Sequence, residues 1–228
     1  MIILATDTSV TTTSVALLED DDVRVELFVH TGQNHAEVLM PAIEKVLASV
    51  RIGKKQIDLF AVTVGPGSFT GLRVGVSTVK GLAFVLQKPV VGVCTLDALV
   101  LNIPHPDAPV TICPMLDAGR GEVYTALYLP SGPDTYEKTL RECVVRPGEF
   151  LGSIGGDVIF LGDGAEKYRN LIGDMMPERS SFVPSRFNQV RAVAVGLVGR
   201  KKFCGGDISD IMTLTPDYLR ASYAASAD

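Results

Sequence analysis

Histidine is scarce in this chain of 228 residues, with only His30, His35 and His105 present. His30 and His35 stand five apart, which does not place both on one face of a helix, and no His-Glu-x-x-His occurs. The pattern excludes the common zinc hydrolases, and no metal ligands are expected. Cysteine is sparse as well. Cys94, Cys113, Cys143 and Cys204 lie far apart, without a Cys-x-x-Cys pair and in mostly apolar neighbourhoods. Reduced, buried thiols in a cytoplasmic protein are the expectation. Positive charge is also in deficit. At a net charge of −5 no surface advertises nucleic acid, so a nucleic-acid role would have to come through a partner. Finally, Met1-Ile2-Ile3-Leu4 enters a strand directly. Neither a signal peptide nor a membrane helix is expected.

Several catalytic templates are missing too. The glycine-rich stretch Gly65-Pro66-Gly67-Ser68-Phe69-Thr70-Gly71 lacks the lysine of a P-loop. Its third glycine comes one residue late for a dinucleotide fingerprint. Gly65-Pro66-Gly67-Ser68-Phe69 fails the nucleophile elbow at its last residue. No catalytic residue is assigned. The plain reading is a strand-to-helix turn in which Ser68 caps the helix, with free amides that could attract an anion.

An apolar share of 46% supplies ample core. Apolar runs predict strands over Ile2–Thr6, Val15–Glu19, Val23–Val29, Leu59–Val64 and Val90–Val93. The Glu19-Asp20-Asp21-Asp22 run reads as a solvated turn. Asn34 and Glu37 form a capping pair before a helix from His35 to Val50, bent at Pro41. A second helix runs from Ser68 to Gln87, and a third starts at Thr95. Three prolines between Asn102 and Pro109 mark a connector. This divides the chain into 1–103 and 104–228. Beyond it come strands over Val110–Leu116, Glu122–Leu129, Leu140–Val145 and Val158–Leu161. Helices are expected near Pro147, over Ala165–Ile172 and over Ala192–Phe203. Gly173–Asn188 shows no clear period.

The halves echo each other. "ILATDTSVTTTSVALL" and "ICPMLDAGRGEVYTALYL" are each strand, aspartate, small turn, strand. This predicts a duplicated α/β architecture with two lobes. Asp7, Thr8 and Ser9 in one turn, and Asp117 and Gly119 in the other, match turns that hold nucleotide phosphates and a metal ion in actin-like folds. With Gly67 and Ser68 they form the candidate nucleotide site, expected to be vestigial. The Gly162-Asp163-Gly164-Ala165 turn reads as an ordinary strand-to-helix connection.

The Ser68–Gln87 helix carries only Arg73 and Lys80 as charges in its body. Leu72, Val76, Val79, Ala83 and Leu86 form one apolar stripe, while Val74, Leu82, Val85 and small residues cover another side. A helix apolar nearly all round is buried on both sides. Either a second internal layer or another polypeptide must cover it, and Gly71 and Gly75 would let a neighbouring helix approach.

"ILATDTSVTTTSVALL", "NHAEVLMPAIEKVL", "VGPGSFTGLRVGVSTVKGLAFVLQKPVVGVCTLDAL", "MLDAGRGEVYTALY" and "PDYLRAS" together resemble the bacterial TsaB (YeaZ) family, in order and spacing. The resemblance implies a two-lobed actin-like ATPase fold (ASKHA, ribonuclease H-like) with duplicated β-rich sheets flanked by helices. It implies a non-catalytic scaffold subunit in making the threonylcarbamoyl group on N6 of adenosine 37 in tRNAs that read A-starting codons. Such a subunit pairs with a TsaD-like paralogue through its N-terminal helices, helps recruit a TsaE-like ATPase, touches tRNA only indirectly and forms homodimers when alone. No tightly bound cofactor is implied, with ATP or ADP and Mg²⁺ expected only at the complex interface. The expected docking residues are Leu39 and Ile43 of the first helix and Leu72, Gly75, Val76, Val79 and Ala83 of the second. TsaD carries a metal-binding histidine pair after the strand equivalent to Val90–Val93. Here Cys94-Thr95-Leu96-Asp97-Ala98-Leu99 stands there, which argues against transferase activity. The competing readings are a stand-alone nucleotide-binding kinase or ATPase relying on Asp7 and Asp117, and a peptidase, for which the zinc ligands and elbow are missing.

Overall fold

The computed structural model describes residues 1–31, 34–103, 106, 109–132 and 135–219. The chain divides into two units. The first comprises Met1–Ala98 and Val190–Asp217, and the second is built on Leu99–Gln189.

The first unit opens with an antiparallel meander, β1 (Ile2–Asp7), β2 (Thr12–Glu19) and β3 (Asp22–His30). Helix α1 (His35–Ser49) then leads to β4 (Leu59–Gly65), and α2 (Phe69–Leu86) to β5 (Val90–Cys94). A short α3 (Thr95–Val100) follows. Both β4 and β5 pair in parallel, giving the order β3-β2-β1-β4-β5. Strand alternation sends Leu4, Val15, Leu17, Phe60 and Val62 to one face. There they form a core with Leu39, Ile43, Val46, Val76, Val79 and Ala83 of α1 and α2.

The second unit repeats this plan. Strands β6 (Thr111–Gly119), β7 (Glu122–Gly132) and β8 (Thr135–Val145) form a meander. After α4 (Pro147–Phe150) comes β9 (Val158–Leu161), parallel to β6. Helices α5 (Asp163–Lys167) and α6 (Arg169–Met175) lead to β10 (Ser180–Phe182), parallel to β9. The order β8-β7-β6-β9-β10 repeats that of the first sheet, element for element. Its core holds Met115, Val123, Phe160, Ala165 and Ile172.

A single cut near residue 103 does not describe this chain, because α7 (Ala192–Cys204) returns to the first sheet. Two glycines and two distant caps explain the return. A Cβ on Gly196 would lie 2.5 Å from Leu18 Cδ1, and one on Gly199 would lie 2.6 Å from Ala61 Cβ. Only glycine lets the helix lie this close to the sheet. The start of α7 lacks a side-chain cap from Arg191. Instead the Ala192 amide donates to Ser14 Oγ (3.0 Å) and the Val193 amide to Glu26 Oε1 (3.3 Å). Glu26 also pairs with Arg191. Strands β2 and β3 therefore supply the acceptors that a helix start needs.

Other expectations change in detail. The helix expected over Ala165–Ile172 is two helices, broken at Tyr168 (φ −102°, ψ 15°). The stretch without periodicity contains β10. Asn34 makes no side-chain cap bond, and α1 is continuous through Pro41. All four cysteines are free, yet only Cys113 is buried, its thiol pushed up to about 12 by burial; Cys204 is exposed. The acidic turn carries ion pairs: Arg200 with Asp21 (2.8 Å), and the N-terminal ammonium with Asp20 (3.2 Å). His105 lies outside the described residues.

Candidate functional site

The turn after β1 holds the first predicted group. Asp7, Thr8 and Ser9 are all buried. Asp7 Oδ1 accepts the Ser9 hydroxyl (2.6 Å), the Ser9 amide (3.2 Å) and the Thr63 hydroxyl (2.7 Å). Its second oxygen, Oδ2, has no hydrogen-bond partner. Burial pushes the carboxyl up to about 6, against the pull of those bonds.

The Gly65–Gly71 loop and the start of α2 fit onto this turn. The Ser68 amide donates to the Ser9 carbonyl (2.7 Å), and Thr8 Oγ1 donates to the Gly71 carbonyl (2.7 Å). A Cβ on Gly67 would lie 2.9 Å from Ser9 Cβ, and one on Gly71 or Gly75 would collide with Thr8. The close neighbour admitted by Gly71 and Gly75 is thus the β1–β2 turn and not a partner helix. Ser68 caps α2 as expected, its Oγ accepting the Gly71 amide (3.2 Å). His35, at the start of α1, closes the same corner. Its Nδ1 meets Thr13 Oγ1 at 2.9 Å, and burial lowers its pKa. A nucleotide phosphate needs free amides and open space at such a turn. Here the Ser9 and Ser68 amides are engaged and Asp7, Thr8 and Ser9 are buried, so that turn does not fit one. Gly67 is half-buried and Ser68 exposed, with the Ser68 amide spent on Ser9 and its hydroxyl on the Gly71 amide.

In the second unit, Asp117 lies near the end of β6, beside a more open turn. Its Oδ1 accepts the Gly119 amide (3.1 Å), and its Oδ2 pairs with Lys167 (2.7 Å). The Asp117 amide donates to Asp163 Oδ1 (3.0 Å), and burial raises the Asp163 pKa. Nothing lies within 4 Å of a Cβ built on Gly119. Asp117 and Gly119 form a turn whose polar groups hold one another.

Helix α2 is the third group. Leu72, Gly75, Val76, Val79 and Ala83 are buried in the first unit's core, as are Leu39 and Ile43 of α1. The seven expected docking residues therefore cannot meet a partner without unfolding the unit. The opposite face of α2 is different. Phe69, Arg73, Ser77, Gly81 and Phe84 are exposed there, and Val85 beside them is 78% exposed. Arg73 stacks on Phe69, its guanidinium 4.0 Å from the ring centre. The predicted stripe is the core side of α2. Phe84-Val85, two large apolar residues outside the 72–76–79–83 spacing, are exposed. Among the described residues α2 is also the one helix long and apolar enough to cross a membrane by composition, but its inner side is core.

The family profile described as TsaD, tRNA N6-adenosine threonylcarbamoyltransferase, matches residues 29–225. The tRNA threonylcarbamoyladenosine biosynthesis protein TsaB of Bacillus subtilis is 33% identical, over 98% of this chain and 96% of its own. The chain belongs to the TsaB (YeaZ) family. The structure of YeaZ from Pseudomonas aeruginosa superposes with a TM-score of 0.82 at 26% identity, covering 96% of this chain and 99% of that one. The ROK hexokinase from Thermus thermophilus gives 0.53 at 9% identity, over 90% of this chain and all of that one, which shows the fold alone. The duplicated, helix-flanked sheets are those of the actin-like ATPase fold. Within it, this chain's first aspartate turn is covered by its own glycine loop.

Proposed function

We propose that this chain is the non-catalytic scaffold subunit of the complex that places threonylcarbamoyl on N6 of adenosine 37 in tRNAs reading A-starting codons. It pairs with a TsaD-like paralogue, helps recruit a TsaE-like ATPase, and forms a homodimer when alone. The observation that carries this reading is α2. One side of the helix is core, while the other presents Phe69, Phe84 and Val85 to solvent. Exposed aromatic and aliphatic residues gathered on one face mark an interaction surface. The covered Asp7 turn supports the non-catalytic part. Any ATP or ADP with Mg²⁺ is taken up at the interface with a partner, tRNA is met only through that partner, and the complex works in the cytoplasm.

A turnover experiment tests the assignment against a stand-alone kinase or ATPase. The expected result is that the purified chain hydrolyses no ATP by itself and that hydrolysis appears when TsaD-like and TsaE-like subunits are added. Hydrolysis by the isolated chain that is lost on Asp117→Ala would overturn the proposal.

A further inference from the structure

The last part of the first unit, residues 205–217, runs along the β5 edge of its sheet to the entry of α2. The Ser209 amide donates to the Val90 carbonyl (3.0 Å), and Ser209 Oγ accepts the Gly92 amide (3.0 Å). Further on, the Asp217 amide donates to the Val64 carbonyl (2.7 Å), next to the Gly65 loop. Between these ends Lys80 reaches across from α2. Its ammonium donates to the Leu214 carbonyl (2.7 Å) and the Met212 carbonyl (3.4 Å). Ile211 and Leu214 pack against the core that holds the inner side of α2. The segment fits tightly, since a Cβ on Gly92 would lie 3.2 Å from Leu214 Cδ1. Met212 and Ile208 stay exposed, at 72% and 50%.

We infer that this C-terminal segment is a latch that caps the open sheet edge and sets the position of the docking helix. An uncapped β5 would offer its backbone groups to any passing strand. On β5 the latch satisfies the Val90 carbonyl and the Gly92 amide through Ser209, while Lys202 of α7 donates to the Gly92 carbonyl (2.8 Å) and pairs with Asp207 (3.2 Å). Lys80 adds a hold from α2 through its ammonium, and it stands one turn before Phe84 on the outer side of α2. A helix fastened at Lys80 keeps Phe84 and Val85 in one place, and a shift of the helix there loosens the latch. The latch stands on the geometry of this chain alone. Its consequence for partner binding rests on the docking reading above.

Backbone hydrogen exchange on the full free chain tests the latch directly. Lys80→Met keeps the apolar stem and removes the donor. The expected result is exchange about tenfold faster at the Ser209 and Asp217 amides and at Gly92, with β1 and α1 amides unchanged. Lys80→Arg, which keeps a donor, restores protection. Ser209→Ala gives a second reading by raising exchange at Gly92 without touching α2. Unchanged exchange at all three amides in Lys80→Met overturns the latch, as does acceleration spread evenly over β1 and α1. Titrating a TsaD-like subunit into the same variants then reads the coupling separately. Weaker binding by Lys80→Met than by Lys80→Arg supports it. Equal binding, with the exchange result intact, removes the coupling and leaves the latch.

Discussion

Asp7 carries a cost that the folded chain tolerates. Its carboxyl titrates near 6 when folded against 3.8 when unfolded. A raised folded value contributes stability that is fully present below the unfolded pKa and is lost as pH rises through the folded one. At neutral pH the ionised group is therefore a liability of about 2–3 kcal/mol at most. Asp7→Asn keeps the acceptor for Ser9 and Thr63. It should raise the denaturation midpoint at about pH 7.5, with the difference fading by about pH 4. A loss of stability at pH 7.5 that is absent at about pH 4 would show that the ionised form is favoured and contradict this sign. Glycines make the second residue-scale case. Gly71→Ala should cost about 1–3 kcal/mol, because Thr8 backbone stands in the way. Gly81→Ala meets nothing within 4 Å and should stabilise the free chain by about 0.5–1 kcal/mol. Thermal melts of the two variants check the contrast.

Helices α2 and α7 show which parts of an element the sequence exposes to reading. Composition identified α2 as apolar nearly all round, and the 72–76–79–83 spacing marked its core side. The same spacing misdirected the docking assignment, since an apolar stripe signals burial without saying what covers it. Val76→Asp would place an unpaired charge in the core and should unfold the first unit rather than block pairing alone. For α7 the sequence predicted the helix but not its place, because its caps come from Ser14 and Glu26, more than 160 residues away in the chain. Such long-range acceptors leave no local pattern. Glu26→Ala should destabilise the first unit by about 1–2 kcal/mol. Faster hydrogen exchange over Ala192–Val195 than over β6 would confirm that the loss is local to α7.

On the scale of the whole molecule, duplication was legible because each half opens with the same strand-aspartate-turn-strand pattern. The observed sheet orders are the same, β3-β2-β1-β4-β5 and β8-β7-β6-β9-β10. The covering of one aspartate turn was not legible, since it depends on Gly67, Gly71 and Gly75 meeting residues some 60 positions earlier. Those contacts turn a glycine loop read from the sequence as a plain strand-to-helix turn into a lid over Thr8 and Ser9. The resulting picture is a chain whose first unit uses its small residues to seal itself and leaves Phe69, Phe84 and Val85 of α2 exposed, which the proposed function offers to another protein. Sedimentation of an equimolar mixture with a TsaD-like subunit measures that offer directly. The account predicts one heteromeric species for the unmodified chain and separate species for Phe84→Asp combined with Val85→Asp, with the melting temperature of the free chain maintained. Full assembly by that double variant would contradict it.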